Sequence, residues 1–240
     1  MGLFDKKFCD ICGNKIGLLG NRKLDDGNMC KDCAAKLSPF TTDRRRTTLA
    51  EINDHLAYRE ANKADVAAFN VTRTLGGRTK VMLDEGAGKF LVSASGRWQS
   101  ENPDVMLISQ VTACNSEIRE SRTEIKTKDK DGNSISYNPP RYDVDYDFYI
   151  TIHVNSPFFN EIEFKVNNNR VEERHSVEYR ESERLTNEIK QALSKVQQEA
   201  RETMAAASAP KTAQICPLCG ATTIPDARGC CEYCGGAMMG

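Results

Sequence analysis

The sequence predicts an α+β multidomain chain in which a β-rich segment and its closing helix lie between two four-cysteine modules. Three patterns support this: paired cysteines near both ends, apolar residues at every second position over 142–154, and apolar residues three or four apart from Leu185 to Met204. A period of two is typical of a strand with one buried face, and spacings of three and four are typical of an amphipathic helix. The predicted segments are a first cysteine module at 1–38, a helical connector at 47–69, a β-domain with its helix at 70–204, a flexible linker at 205–214 and a second cysteine module at 215–240.

Eight of the ten cysteines form two sets with the spacing of metal ligands. In each set a short loop separates two CxxC pairs, which suits tetrahedral coordination of Zn²⁺ by four thiolates. The predicted ligands are Cys9, Cys12, Cys30 and Cys33 in the first set and Cys216, Cys219, Cys231 and Cys234 in the second. Because a catalytic zinc normally keeps an open position, two complete sets predict two structural ions and no enzyme activity.

Two thiols remain outside this pattern. Cys230 abuts Cys231 and could replace it as a ligand, although the CxxC register favours Cys231. Cys114 has no partner in the sequence, so we expect a small buried apolar side chain, with a reactive thiol as the alternative.

The residues that follow the cysteines predict the local conformation. Glycines follow Cys12, Cys219 and Cys234, where they allow the positive φ that a tight CxxC turn often needs. Cys33 is instead followed by the stretch Ala34–Leu37, which predicts the start of a helix.

The helical connector has apolar residues three or four apart at both ends but a polar middle, so it predicts one helix or two short ones. The apolar residues are Leu49, Ile52, Leu56, Val66 and Phe69. Thr47 or Thr48, together with Glu51, fits a capping box at the N-terminus of this segment.

The β-rich segment contains the strongest strand pattern of the chain. Apolar and polar residues alternate from Tyr142 to Val154, and after Ser156-Pro157 the alternation resumes at 162–166, which predicts a hairpin. Other predicted strands lie at Lys80–Asp84, Lys89–Ser93, Val105–Ser109 and Ile118–Ile125, with a hairpin turn at Lys128–Asn133. A long helix is predicted at 176–204, and its apolar stripe is expected to pack on this sheet. The stripe consists of Leu185, Ile189, Leu193, Val196, Ala200 and Met204.

Three segments resemble known families. The stretch FCDICGNKIG…LDDGNMCKDCAAKLS resembles bacterial zinc-ribbon domains of unknown function found at protein N-termini. The strand Tyr142–Val154, the turn Pro157–Phe159, the strand Ile162–Val166 and the helix that follows resemble bacterial pleckstrin-homology-like (PH-like) domains. That resemblance implies a seven-stranded, strongly bent antiparallel sheet closed by one C-terminal helix. The tail CPLCG…CCEYCGG resembles zinc ribbons that end many bacterial proteins, and none of the three families implies catalytic residues.

Composition and charge narrow the possible functions and locations. The formal net charge is −1, so a broad basic surface for nucleic acid or anionic membrane is not expected. No stretch approaches the roughly 18 apolar residues that cross a bilayer, and residues 1–7 lack the apolar core of a secretory signal. We therefore expect a cytoplasmic protein, where paired thiols are metal ligands more often than disulfides.

These features together predict a non-catalytic adaptor that holds a protein partner. Nucleic-acid binding is one alternative, because the first 46 residues carry ten Lys and Arg against six Asp and include Arg44-Arg45-Arg46. Peripheral lipid binding through the PH-like domain is another, with Arg73, Arg78 and Lys80 as the nearest basic cluster. A thiol redox switch, in which oxidation releases zinc, is a third.

Overall fold

The computed structural model describes residues 7–208, 213–226 and 229–238. Internal contacts divide the chain into two units, Met1–Gln198 and Glu199–Gly240. The first unit holds the N-terminal cysteine module and the β-domain, and the second holds the C-terminal cysteine module. The mixed α/β architecture that the sequence predicts is confirmed, with several small sheets, a few helices and a four-cysteine cluster near each end.

The N-terminal module is built from two short hairpins and one helical turn. Its elements are β1 (Lys7–Phe8), β2 (Lys15–Ile16), β3 (Asn21–Lys23), β4 (Asn28–Cys30) and α1 (Lys31–Ala34), with β1 paired to β2 and β3 paired to β4. The predicted helix start at Ala34 is wrong, because the helix ends there. α1 starts at Lys31 since Cys30 is its N-cap, and the Cys30 sulfur accepts the N–H of Cys33 at 3.4 Å.

α2 (Leu49–Ala68) is one uninterrupted helix that borders two cores. Thr48 is its N-cap and forms a complete capping box with Glu51. Its buried residues are spaced three and four apart and are Ile52, His55, Arg59, Asn62 and Val66. Ile52 belongs to the core of the N-terminal module, whereas Val66 packs with Met82 of the β-domain. The helix therefore contributes buried residues to both cores.

The polar residues in the middle of α2 are buried against polar partners. Arg59 Nη1 lies 2.7 Å from Asp104 Oδ1, and the two side chains are 9% and 0% exposed. Asn62 Nδ2 donates to the carbonyl of Pro103 at 2.8 Å, and Asn62 Oδ1 accepts the N–H of Val105 at 2.9 Å. These bonds fasten α2 to the segment 102–105 of the β-domain.

His55 is buried where α2 meets the β-domain. Its Nε2 accepts the backbone N–H of Ser38 at 3.3 Å, and its ring stacks on Phe158 with centroids 4.4 Å apart. Burial, and then the charge of Arg59, lower the pKa of His55 to about 4. The folded chain therefore keeps this imidazole neutral at pH values where an unfolded histidine takes up a proton.

We expect acidification to destabilise the fold through His55. The unfolded pKa is about 6.5 and the folded pKa is about 4, so the unfolded state binds more protons between these values and stability falls as the pH drops through that window. Between pH 7 and pH 5 the loss is about 2 kcal/mol. Urea unfolding of the parent and of His55→Gln at both pH values measures this term as a difference.

The comparison of the variant with the parent isolates the contribution of His55, because every other titratable group is common to both chains. A pH dependence in His55→Gln as steep as that of the parent would contradict the assignment.

The β-domain contains seven strands in two antiparallel sheets. The first sheet consists of β5 (Arg73–Gly76), β6 (Lys80–Asp84), β7 (Lys89–Ser93) and β8 (Met106–Leu107), with the helical turn α3 (Trp98–Glu101) before β8. The second consists of β9 (Val111–Lys128), β10 (Ser134–Val154) and β11 (Glu161–Lys165), with β10 in the middle. Buried residues of both sheets, such as Phe90 and Ile150, belong to one core.

β9 and β10 are much longer than the sequence pattern predicts. Every second residue is buried from Tyr146 to Val154, as predicted, but Tyr142 is 53% exposed. The two strands pair as far as Ser134↔Lys128, with a register shift between Ser136 and Arg141. Beyond the core they form a two-stranded arm whose residues are exposed or only partly buried.

α4 (Val177–Ser208) closes the core of the β-domain. Ile189 and Leu193 are fully buried there, and Leu185 packs partly buried beside them, so the predicted stripe is confirmed to this point. Its continuation at Val196, Ala200 and Met204 lies outside the side chains that the structure describes. The helix reaches Ser208, four residues past its predicted end, and residues 209–212 of the predicted linker lie outside the described residues.

Candidate metal centres

The first cysteine cluster joins a tight turn to the start of a helix. The turn after β1 carries Cys9 and Cys12, and the junction of β4 with α1 carries Cys30 and Cys33. All four sulfurs lie within 4.8 Å of one another, and those of Cys12 and Cys30 are 3.8 Å apart. Four sulfurs bound tetrahedrally at about 2.3 Å from one ion are themselves about 3.8 Å apart. The cluster therefore has the dimensions of a four-thiolate zinc site.

The second cluster has the same dimensions. It lies around the hairpin of β12 (Gln214–Ile215) and β13 (Thr222–Thr223). The sulfurs of Cys216 and Cys234 are 3.6 Å apart, and those of Cys219 and Cys231 are 3.7 Å apart. Cys231 and not its neighbour Cys230 joins the cluster, and Cys230 forms a β-bridge with Ala237. The structure thus brings together the two predicted sets of four.

Three of the four CxxC turns share the same backbone hydrogen bond. In each, the glycine after the second cysteine donates its N–H to the carbonyl of the first. The pairs are Gly13 with Cys9 at 2.8 Å, Gly220 with Cys216 at 2.9 Å and Gly235 with Cys231 at 2.8 Å. All three glycines have a φ of 71°, the left-handed conformation that disfavours other residues and that the sequence predicts here.

Backbone N–H groups and neighbouring thiols shift pKa values in opposite directions in the first cluster. Burial raises the pKa of Cys9, but the N–H groups of Cys12, Cys30 and Ile11 outweigh burial and lower that pKa to about 6. Burial, and then hydrogen bonds with the other three thiols, raise the pKa of Cys33. One thiolate thus hinders the ionisation of the next, and four thiolates coexist readily only around a cation.

The second cluster shows the same competition. The N–H of Cys219 lowers the pKa of Cys216 to about 6, against the effect of desolvation. The N–H of Ala221 lowers the pKa of Cys219, but the thiols of Cys216 and Cys234 raise it to about 12. A divalent cation would remove this repulsion, because it stabilises every thiolate that contacts it.

The first cluster is supported by contacts that the sequence analysis missed. Asp10 Oδ2 accepts the N–H of Asn28 at 2.7 Å, which ties the first turn to the β3–β4 hairpin. Asp26 Oδ1 accepts the N–H of Leu49 at 2.7 Å, which ties that hairpin to the start of α2. Single loop carboxylates follow no periodic pattern, so no sequence signal identified them.

The core of the N-terminal module is completed by α2. The buried residues of this core are Cys9, Ile16, Leu24, Met29, Cys30, Cys33, Leu37 and Ile52, with Ile11, Ala34, Leu49 and Leu56 packed against them. Three of these twelve residues belong to α2, so the metal-binding module reaches well beyond its last cysteine.

Other residues singled out in the sequence have ordinary structural roles. Cys114 packs partly buried against the β-domain core, and burial raises its pKa to about 11, which favours packing over a reactive thiol. Arg73, from the basic cluster considered for lipid binding, pairs with Glu188 of α4 at 3.5 Å. None of the helices in the described ranges combines the length and apolarity needed to cross a membrane.

One family model matches the N-terminal module. Residues 7–55 match a family model described as a domain of unknown function (DUF4428). The match ends at His55, so it includes Leu49 and Ile52, two of the three α2 residues that pack in the module's core. No curated protein and no solved structure matches the chain. The PH-like domain and the C-terminal zinc ribbon therefore stay predictions.

Proposed function

We propose that the chain is a non-catalytic adaptor that binds two structural Zn²⁺ ions and docks a protein partner on its C-terminal module. The sulfur–sulfur distances of 3.6–3.8 Å support zinc as the ion in both clusters. Four thiolates fill a tetrahedron, so neither ion keeps a position for a substrate or a reactive water.

The exposed apolar side chains of the C-terminal module carry the docking proposal. Ile215, Leu218 and Tyr233 are 70%, 73% and 72% exposed. The only core described beneath them consists of Cys216, Cys231 and Met238. Apolar side chains this exposed on so small a module are typical of the centre of a protein interface.

The N-terminal module suggests how such side chains become covered. Ile11, Leu218 and Tyr233 each occupy the position before the second cysteine of a CxxC turn. Ile11 packs against the core that includes the apolar face of α2. By analogy, the partner of the C-terminal module is a protein that offers an amphipathic helix to Leu218 and Tyr233.

The β-domain is assigned the role of a rigid PH-like scaffold in this adaptor. Its seven strands in two sheets and its closing helix α4 agree with that architecture. Its core is far larger than that of either cysteine module. Because a larger domain buries a larger fraction of its surface, the β-domain can support the two smaller modules.

A partner captured by affinity purification from the native cell and then purified tests the proposal. The double variant Leu218→Ser/Tyr233→Ser is compared with Gln214→Ser, which changes an exposed polar residue of the same module. We expect the double variant to bind the purified partner at least about 30-fold more weakly, as loss of interface hot spots implies. The control should bind like the parent, and all three chains should contain two zinc ions.

Two outcomes would contradict the adaptor function. One is equal affinity of the parent and the double variant for every recovered protein. The other is recovery of nucleic acid alone, which would favour nucleic-acid binding by the basic N-terminal segment. If the double variant lost zinc, its weaker binding would be explained by damage to the metal site. That result would contradict a docking role for the two side chains.

A further inference from the structure

A basic depression lies on the N-terminal module. β3 and the 3₁₀ helix Arg44–Arg46 form its two sides. Its volume is about 390 Å³, and its lining residues are Asn21, Arg22, Lys23, Thr42, Asp43, Arg44 and Arg45. Four of these seven residues carry a positive charge, although they come from two segments about twenty positions apart in the chain.

Backbone and side-chain hydrogen bonds hold the two sides together. The N–H of Asp25, just after β3, donates to the carbonyl of Thr47 at 3.0 Å. The Thr47 hydroxyl donates to the carbonyl of Asp43 at 3.0 Å, and the Thr47 N–H donates to that of Arg44 at 3.2 Å. The cations are therefore brought together by the fold and not by a flexible tail.

The depression contains more positive charge than its own carboxylate compensates. Asp43 pairs with Arg46 at 3.6 Å, and the Arg46 side chain is 87% exposed and does not line the depression. Arg44 is half-buried, yet within the described ranges its guanidinium has neither an ion pair nor a hydrogen bond. A half-buried guanidinium offers five N–H donors that stabilise the fold only when they meet acceptors.

The chemistry of the lining selects the class of ligand. Arginine forks match the oxygens of a phosphate in a bidentate manner, and lysine adds a point charge. No aromatic ring lines the depression, so a base-stacking platform of the kind that single-stranded nucleic acids use is missing from this set of residues. A compact cluster of cations in an open depression suits one or two phosphate groups better than an extended backbone.

We propose that this depression is a binding site for the phosphate group of a small ligand, either free phosphate or a phosphomonoester, with Arg44 as the central contact. The ligand's oxygens accept hydrogen bonds from Arg44, and the charges of Arg22, Lys23 and Arg45 surround it. This site is independent of the adaptor function, because it lies in the other unit from Leu218 and Tyr233.

Titration of the full zinc-loaded chain with inorganic phosphate tests the site. Isothermal calorimetry would give the affinity, and backbone amide shifts at 21–23 and 42–46 would give the location. We expect Arg44→Gln to weaken phosphate binding at least about tenfold, because charge-assisted hydrogen bonds are lost. Lys15→Gln is the control, because it removes an exposed positive charge of the same module that does not line the depression, and it should bind like the parent.

Two further arms identify the source of the phosphate. One uses a phosphomonoester such as glycerol phosphate, and the other uses a short single-stranded RNA and a short DNA duplex of matched phosphate concentration. Binding of phosphate or the monoester that depends on Arg44 and not on Lys15 supports the site. Absence of binding, equal weakening by both variants, or binding of the oligonucleotides alone would overturn it. Zinc content measured in every sample ensures that phosphate has not removed the metal.

Discussion

Cys9→Ser is expected to reduce the zinc content from two ions to one and to destabilise the N-terminal module severely. Structural zinc contributes about 10–16 kcal/mol of apparent folding free energy in small modules. Loss of one of four ligands should therefore cost more than about 4 kcal/mol. Because Leu49 and Ile52 of α2 pack on this module, the start of α2 should lose protection in hydrogen exchange as well. Metal analysis and hydrogen exchange of the full chain measure the two effects.

Two further cysteine substitutions complete this experiment. Cys216→Ser should also leave one zinc ion, but it should not alter exchange at α2, because its cluster belongs to the other unit. Cys114→Ser should retain both ions, since this thiol lies in the β-domain core. Two ions retained by Cys9→Ser, or zinc lost from Cys114→Ser, would contradict the assignment of ligands.

Arg59→Gln is expected to lower the free energy of unfolding by about 3–5 kcal/mol, as removal of one partner from a buried ion pair typically does. Asp104 is fully buried, and it also accepts the Ser38 hydroxyl at 2.8 Å. Burial raises the pKa of Asp104, while the charge of Arg59 lowers it. Without Arg59 the carboxyl should keep its proton to a higher pH. Urea unfolding of the variant and the parent measures the loss.

The pH dependence of this loss distinguishes a stranded charge from a packing defect. A folded pKa raised above the unfolded value means that the folded state binds the proton more tightly, so stability is present at low pH and is lost as the pH rises through the folded pKa. The deficit of Arg59→Gln should therefore shrink between pH 7.5 and pH 5. Arg184→Gln, at an exposed arginine paired with Glu181 and Glu188, should cost less than about 1 kcal/mol. A deficit that does not change with pH would rule out the stranded carboxylate.

The metal clusters and the strands were the most predictable parts of the molecule. Ligand spacing is a covalent property of the chain, so CxxC pairs indicate which sulfurs can meet around one ion. Burial of one face gives a strand such as Tyr146–Val154 its period of two. The outer part of the same strand buries neither face, and Asn138-Pro139-Pro140 interrupts the alternation there, so the length of the arm could not be predicted.

The buried stripe of α2 shows why the rest was not predictable. Its spacing of three and four is regular from Ile52 to Val66, yet the apolar pattern in the sequence has a gap between Leu56 and Val66. Three members of the buried stripe, His55, Arg59 and Asn62, are polar, and each has a polar partner close to it. Asp104 is 45 positions from Arg59 along the chain, and local sequence cannot indicate so distant a partner.

The double role of α2 limits how the molecule can be divided or recombined. A fragment that ends at residue 46 would keep the first cysteine set but leave Leu24 and Met29 without Ile52 as a neighbour. A fragment that begins at residue 47 would expose to solvent the face of α2 that packs against the metal module. Protease nicking, domain transplantation or genetic shuffling at this boundary would therefore produce two incomplete pieces. The smallest unit that could be inherited intact is the metal module together with the helix that it shares.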